Sequence, residues 1–189
     1  MIVSKQDLLK KDLKGKVVIF KTDTVYGIGA LLNDADAVER IFEIKNRDKK
    51  NPLAVLVGHA DDAYRLVHDP ERIHPHVSEH WPGALTLVTK KSEAVSDAVT
   101  RGKKTVGIRM PDDTDALDIL RCFGPMAVTS LNLSSEPPVL KYEDALKFEK
   151  VVDYVVEGDD LDSVASTVFD ADEHRTLRQG AVVVNSKRL

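Results

Sequence analysis

The chain has 189 residues and a mass of 20.9 kDa, which corresponds to a single domain, residues 1–189, long enough to bury a core without staples. Its 42% hydrophobic and 31% charged residues are ordinary for a globular protein, and 27 basic against 31 acidic side chains leave a net charge of −4, which argues against a protein that coats nucleic acid with its whole surface. One cysteine, Cys122, excludes an internal disulfide and a Cys-rich zinc site. No run approaches the roughly 18 apolar residues of a membrane span, and residues 1–16 lack an apolar signal core, so a cytoplasmic chain with no membrane partner is expected.

Residues 17–20, Val-Val-Ile-Phe, read as a strand buried on both faces. Residues 21–29 mix polar side chains with Gly27 and Gly29 and read as a strand end and loop. A helix follows, capped by Asn33 or Asp34, with Val38, Ile41, Phe42 and Lys45 on one face and a stop near Asn46. Lys45 closes that buried face, so its stem can pack while its ammonium reaches a cleft. Residues 53–57 form the next buried strand, and 61–67 and 71–80 read as helices. A turn at 81–83 leads to strands at 84–89 and 105–109, then a helix at 114–123 capped by Thr114 or Asp113. A strand at 126–129 and a short helix at 143–149 precede strands at 151–156, 166–169, 176–177 and 181–184, with a hairpin turn at 171–174. Early alternation and late clustering of strands predict an α/β domain with a twisted, mixed parallel and antiparallel sheet flanked by helices.

Basic residues are grouped: Lys45, Arg47, Lys49 and Lys50; Arg101, Lys103 and Lys104; and Arg175, Arg178, Lys187 and Arg188. Residues 153–173 hold eight acids and no Lys or Arg. Focused basic loops on an acidic chain suit a compact anion, although a solvated surface gives the same pattern for any one group. Three strand ends carry hydroxyls or amides, at Thr22-Asp23-Thr24, Thr129-Ser130-Leu131-Asn132 and Ser166-Thr167. Ligands of open α/β sheets sit beyond strand ends, and turn chemistry uses the same residue types. Arg109 ends a strand and offers a planar fork for a carboxylate or phosphate, or a partner for a nearby Asp. His76 and His80 share helical spacing without an HExxH frame or a third ligand, and no phosphate loop, GxGxxG or GxSxG element is present. Core packing is expected for Cys122.

Seven strings occur in order over residues 17–184. They are Lys-Thr-Asp-Thr-Val-Tyr-Gly at 21–27, Lys45-Asn-Arg47 with Asn-Pro-Leu at 51–53, Trp-Pro-Gly-Ala-Leu-Thr at 81–86, and Thr-Val-Gly-Ile-Arg-Met-Pro at 105–111. Ser-Leu-Asn-Leu-Ser at 130–134, Ser-Thr-Val at 166–168 and Leu-Arg-Gln-Gly at 177–180 complete the set. Together they resemble the YrdC-like family, the threonylcarbamoyl-AMP synthases, in its short form. The sequence departs from the family pattern at Lys21 (usually Pro), Asn46 (Gly), Asp48 (Pro), Leu131 (Ala) and Ser135 (Gly).

The resemblance implies a YrdC-like fold with a concave, positively charged cavity, and condensation of L-threonine, bicarbonate (or CO2) and ATP into threonylcarbamoyl-AMP and pyrophosphate. A tRNA threonylcarbamoyltransferase complex would use the product, and Mg2+ would arrive with ATP; no organic cofactor is implied. By match, Lys45 and Arg47 face the phosphates and act catalytically by stabilising charge. Thr22, Thr24, Arg109, Ser130 and Ser166 hold threonine, and Asn51, Thr105, Asn132 and Arg178 join Lys45 and Arg47 in binding ATP. Asp23 is the carboxylate of the site region and could orient an amine or a water. The alternatives are a double-stranded RNA- or ribosome-binding paralogue without synthase activity, and the related carbamate-adenylating domains of hydrogenase maturation, which occur within longer chains. Aromatics at 5% give no stacking stripe for single-strand RNA.

Overall fold

The computed structural model describes residues 1–133 and 135–185. Ten strands form one sheet: β1 (Ile2–Val3), β2 (Val18–Lys21), β3 (Tyr26–Leu31), β4 (Ala54–Leu56), β5 (Leu85–Lys90), β6 (Thr105–Arg109), β7 (Met126–Ser130), β8 (Tyr154–Val156), β9 (Thr167–Asp170) and β10 (Arg175–Arg178). Their order across the sheet is β1-β8-β2-β3-β7-β4-β6-β5-β9-β10. Pairings β1–β8, β8–β2, β4–β6 and β5–β9 are parallel and the others antiparallel, so the sheet is mixed as expected.

Seven helices flank it: α1 (Lys5–Leu8), α2 (Ala35–Lys45), α3 (Ala60–Leu66), α4 (His74–His80), α5 (Asp97–Thr100), α6 (Thr114–Phe123) and α7 (Tyr142–Leu146). The continuous apolar run of β2 serves both faces. Val17 and Ile19 join the core under α2, α3, α4, α5 and α7, while Val18 and Phe20 join a second core under α1 and α6. This second core draws on β1, β8, β2, β7 and Leu56 of β4, and an open cavity remains over β4, β6, β5 and β9.

α2 shows how local sequence delivers a functional loop. The Asp34 carboxylate, not Asn33, caps it by accepting the Ala37 N–H at 3.1 Å. At its other end Asn46 takes the left-handed conformation (φ 48°), the Asn46 N–H donates to the Glu43 carbonyl, and the Arg47 N–H reaches back to the Phe42 carbonyl at 3.0 Å. This is a Schellman closure, with Asn tolerated where Gly is usual. It stops the helix and reverses the chain at Arg47.

Several expectations are corrected. Residues 26–31 form a full strand rather than a loop, hairpinned to β2 with Gly27 opposite Phe20 and Gly29 opposite Val18. The glycines are needed for close approach: a Cβ at Gly29 would lie 2.8 Å from Val128 Cγ2 and 3.1 Å from the Ala127 carbonyl oxygen. The helix expected at 71–80 divides into a 3-10 turn (Pro70–Arg72) and α4, with Pro75 in the first turn of α4. The strand expected at 151–156 begins only at Tyr154, and residues 181–184 are not a strand. β1, α1 and α5, of two to four residues, carry too little periodicity to be read from sequence. Asp113 rather than Thr114 caps α6, accepting the Ala116 N–H. Cys122 is exposed rather than packed in the core, because it lies off the Ala116–Ile119–Leu120 stripe that α6 buries. Of the C-terminal basic group, Lys187 and Arg188 lie outside the described residues, as does Ser134.

Candidate active site

A cavity of about 480 Å³ opens on the sheet face spanned by β3, β7, β4, β6, β5, β9 and β10. Small side chains make the room. Gly27, Ala54, Thr86 and Gly107 project onto this face from β3, β4, β5 and β6. Four cations, Arg47, Lys103, Arg109 and Arg178, line it, and no carboxylate does so among the described residues. A net negative chain therefore concentrates positive charge at one concave place, where field lines are focused.

Arg109 stands at the last position of β6 and is 5% exposed. Its Nη2 donates to Thr24 Oγ1 at 3.0 Å and to Thr22 Oγ1 at 3.3 Å; its Nη1 donates to Asp23 Oδ1 at 2.5 Å and to the Gly83 carbonyl at 3.3 Å. The hydroxyls are aimed by the turn between β2 and β3. Thr22 Oγ1 donates to the Val25 carbonyl at 2.8 Å and accepts the Thr24 and Val25 N–H groups. With the Thr22 proton committed to Val25, Thr24 is the donor in the 3.1 Å contact between the two hydroxyls, or is free to donate to a ligand. All four Nη N–H groups are thus engaged, and what the arrangement offers at the wall is a fixed positive charge beside the Thr24 hydroxyl, a combination suited to an anion with a neighbouring polar group.

On the opposite wall, Ser166 Oγ lies 2.8 Å from Thr86 Oγ1, both buried. Arg178 donates from Nη2 to the Ser166 carbonyl at 2.8 Å and to its hydroxyl at 3.3 Å. Burial, and then the charge of Arg109, lower the Arg178 pKa. Arg47 is held from behind, Nε on the Asn51 carbonyl at 3.2 Å and Nη2 on the Pro52 carbonyl at 3.0 Å, and burial lowers its pKa too. Clustered, partly desolvated cations hold their charge at a cost that an anion relieves.

Lys45 is almost wholly buried and does not line the cavity. Its Nζ donates to the Ser130 carbonyl, to Asn132 Oδ1 at 2.8 Å and to Thr129 Oγ1 at 3.4 Å. Burial, and then the nearby Arg47 charge, bring its pKa down to about 7. Asn132 is likewise engaged, its Nδ2 donating to the Leu133 and Glu136 carbonyls and its Oδ1 accepting from Lys45 and Ser130 Oγ. Lys45 and Asn132 thus form a shelf behind Ser130, which does line the cavity. The Asn51 side chain is exposed outside it, with only the Asn51 carbonyl serving Arg47.

Of the sequence-derived site residues, the structure brings Thr22, Thr24, Arg47, Thr105, Arg109, Ser130, Ser166 and Arg178 to one cavity and leaves Lys45, Asn51 and Asn132 just outside it. Sequence reasoning missed Thr86 and Lys103 as wall residues. Thr86 lay in a quoted string and Lys103 in a basic group, but only strand alternation across β5 and β6 puts Thr86 on the cavity face. None of the five departures from the family pattern, Lys21, Asn46, Asp48, Leu131 and Ser135, lines the cavity. Asn46 and Ser135 keep positive φ (48° and 72°) where glycine is usual, and Leu131 is fully buried in the core. Lys21 turns to an ion pair with Asp113.

A family model described as "Telomere recombination", the Sua5, YciO and YrdC proteins, matches residues 12–180. The chain belongs to the Sua5/YciO/YrdC family. A threonylcarbamoyl-AMP synthase from Pyrococcus abyssi is 38% identical over 164 residues, covering 85% of this chain and 48% of the relative. One from Bacillus subtilis is 43% identical over 133 residues, covering 69% of this chain and 38% of the relative. The crystal structure of P. abyssi Sua5 complexed with L-threonine superposes with a TM-score of 0.89 at 32% identity, over 95% of this chain and 57% of that one. The chain therefore spans about half the length, or less, of these family members. No helix among the described residues is long and apolar enough to cross a membrane.

Proposed function

We propose that this Sua5/YciO/YrdC chain synthesises threonylcarbamoyl-AMP from L-threonine, bicarbonate and ATP. The observation that carries the reading is the cavity wall, with four cations of which only Arg109 is ion-paired among the described residues, to Asp23, and with the Arg109 guanidinium set against the Thr22 and Thr24 hydroxyls. Every reactant except the threonine amine is anionic where it must be held. The names of the relatives and the L-threonine in the P. abyssi Sua5 structure point the same way.

In this reading Arg109 takes the threonine carboxylate, with Thr22, Thr24, Ser130 and Ser166 placing the amine and side-chain hydroxyl. The unprotonated amine adds to bicarbonate and releases water, giving a carbamate. A carbamate oxygen then attacks the α-phosphorus of ATP, the bond to the β-phosphate oxygen breaks, and pyrophosphate leaves with its electron pair. Arg47, Arg178 and Thr105 meet the phosphates from the wall, and catalysis is positioning plus charge stabilisation. Lys45 and Asn132 support this from behind by fixing Ser130, and the Asn51 carbonyl orients Arg47. Mg2+ enters as part of the MgATP substrate; among the described residues no group of three His, Cys, Asp or Glu is placed to hold a metal. The mixed anhydride would pass to a tRNA threonylcarbamoyltransferase complex in the cytoplasm.

The test incubates the purified chain with MgATP, bicarbonate and L-threonine, following pyrophosphate release and threonylcarbamoyl-AMP by mass spectrometry. Product that requires both threonine and bicarbonate supports the reading; pyrophosphate release independent of threonine would refute it.

A further inference from the structure

Two of the four cations on the cavity wall sit on loops rather than on strands. Arg47 follows the Schellman end of α2, and Lys103 follows Arg101 and Gly102, both at positive φ, after α5. Backbone bonds hold the roots of both loops, Lys103 N–H to the Thr100 carbonyl, Lys91 N–H to the Lys104 carbonyl and Leu53 N–H to the Val99 carbonyl, but neither cation sits in a strand ladder. Outside the cavity, both are tied to the same carboxylate. Glu39, on α2, accepts from Lys49 Nζ at 2.9 Å and from Arg101 Nη2 at 2.7 Å. Lys49 is two residues beyond Arg47, and Arg101 two residues before Lys103.

The Arg101 end of the bridge is built in. Its guanidinium lies over the Phe42 ring, 3.7 Å from the centroid, and is 15% exposed. Its Nε is buried with no hydrogen-bond partner among the described residues. Glu39 is therefore the carboxylate that compensates a largely buried charge, one turn before Phe42 on the same helix face. The hydrogen bonds from Lys49 and then Arg101 keep the Glu39 pKa below the usual carboxylate value.

We propose that Glu39 is a positioning residue for polyphosphate binding, a carboxylate that ties the loop bearing Arg47 to the loop bearing Lys103 through Lys49 and Arg101 and so adds to the backbone bonds at their roots. The inference rests on the synthase reading, in that a polyphosphate is the ligand those two cations meet. Glu39 does not line the cavity and makes no contact with it.

Electrostatics alone gives the opposite expectation, which makes the test sharp. Replacing Glu39 by glutamine removes a negative charge near a cationic site, so a purely Coulombic effect tightens polyphosphate binding. Loss of positioning weakens it. The experiment titrates inorganic pyrophosphate and MgATP calorimetrically into the wild-type chain, Glu39→Gln and Glu39→Asp, with melting temperatures and steady-state kinetics alongside. We expect Glu39→Gln to weaken both ligands by about threefold to tenfold, the loss of one or two charge-assisted bonds in a half-exposed setting. The KM for MgATP should rise to match, with the KM for threonine little changed, because Arg109 is anchored separately by Asp23, Thr22 and Thr24. Glu39→Asp should fall between. Unchanged or tighter binding in Glu39→Gln, even with a lowered melting temperature, overturns the inference and leaves the synthase reading standing. Failure of the wild-type chain to bind either ligand overturns that reading and this inference with it.

Discussion

The Arg109 guanidinium donates to the Thr24 hydroxyl across 3.0 Å, although 85 residues separate them in the chain. Arg109 ends β6 and Thr24 lies in the turn that leads into β3, with β7 and β4 between those two strands, so this contact exists only once the sheet has been assembled. Arg109→Lys keeps the charge and removes the fork. It should raise the KM for threonine by about tenfold to a hundredfold, the worth of one or two charged hydrogen bonds, and leave the KM for MgATP within about threefold. Steady-state kinetics with each substrate varied separately checks this; equal effects on both constants would contradict the assignment.

Gly29 tests the close approach of β3 to β7. A Cβ there meets Val128 Cγ2 at 2.8 Å and the Ala127 carbonyl oxygen at 3.1 Å, and the latter is backbone. Gly29→Ala should destabilise by about 1–3 kcal/mol through overpacking. Urea unfolding measures it. The substitution Gly102→Ala, where a Cβ meets nothing within 4 Å but φ is +78°, should destabilise through backbone strain alone.

Asp34 serves two donors, the Ala37 N–H inside α2 and the Gly15 N–H in the loop before β2. Asp34→Ala should cost about 0.5–2 kcal/mol, read as a lowered melting temperature. Asp34→Asn keeps an acceptor and should recover most of it.

The buried ammonium of Lys45 makes stability depend on pH in a definite direction. Its pKa falls from 10.5 in the unfolded chain to about 7 in the folded one, first through burial and then through Arg47. Between those values the unfolded state binds more protons than the folded state. Unfolding free energy attributable to this group therefore rises with pH across that window, at up to about 1.4 kcal/mol per pH unit. Lys45→Met removes the term. The stability difference between wild type and Lys45→Met should shift in favour of wild type as pH rises from 7 to 10, measured by denaturant unfolding at each pH; a flat difference would contradict the shift.

The elements legible in the sequence were those with a strong periodic signal. β2, α2, β6 and α6 appear within a residue or two of expectation because each has either a continuous apolar run or a 3.6-residue stripe. β3 was hidden by its glycines, which lower strand propensity and are present because of a neighbour, Val128, that no local window contains. Residues 181–184 have the composition of a strand but no ladder partner in the sheet. Of the eleven candidate residues that the ordered strings supplied, eight line the cavity, Lys45, Asn51 and Asn132 being the exceptions.

Sequence alone determined the class of chemistry: hydroxyls at strand ends, a forked cation at the end of β6 and basic loops on an acidic chain. Tertiary structure decided which of these groups share a cavity. Lys45, read as a cleft-facing ammonium, is turned onto the Ser130 carbonyl and Asn132, while Lys103 and Thr86 join the wall. The reason is geometric. A side chain's face in a strand follows from register with partners far away in the chain, and the end of a buried stem goes to whichever acceptors the neighbouring strand presents.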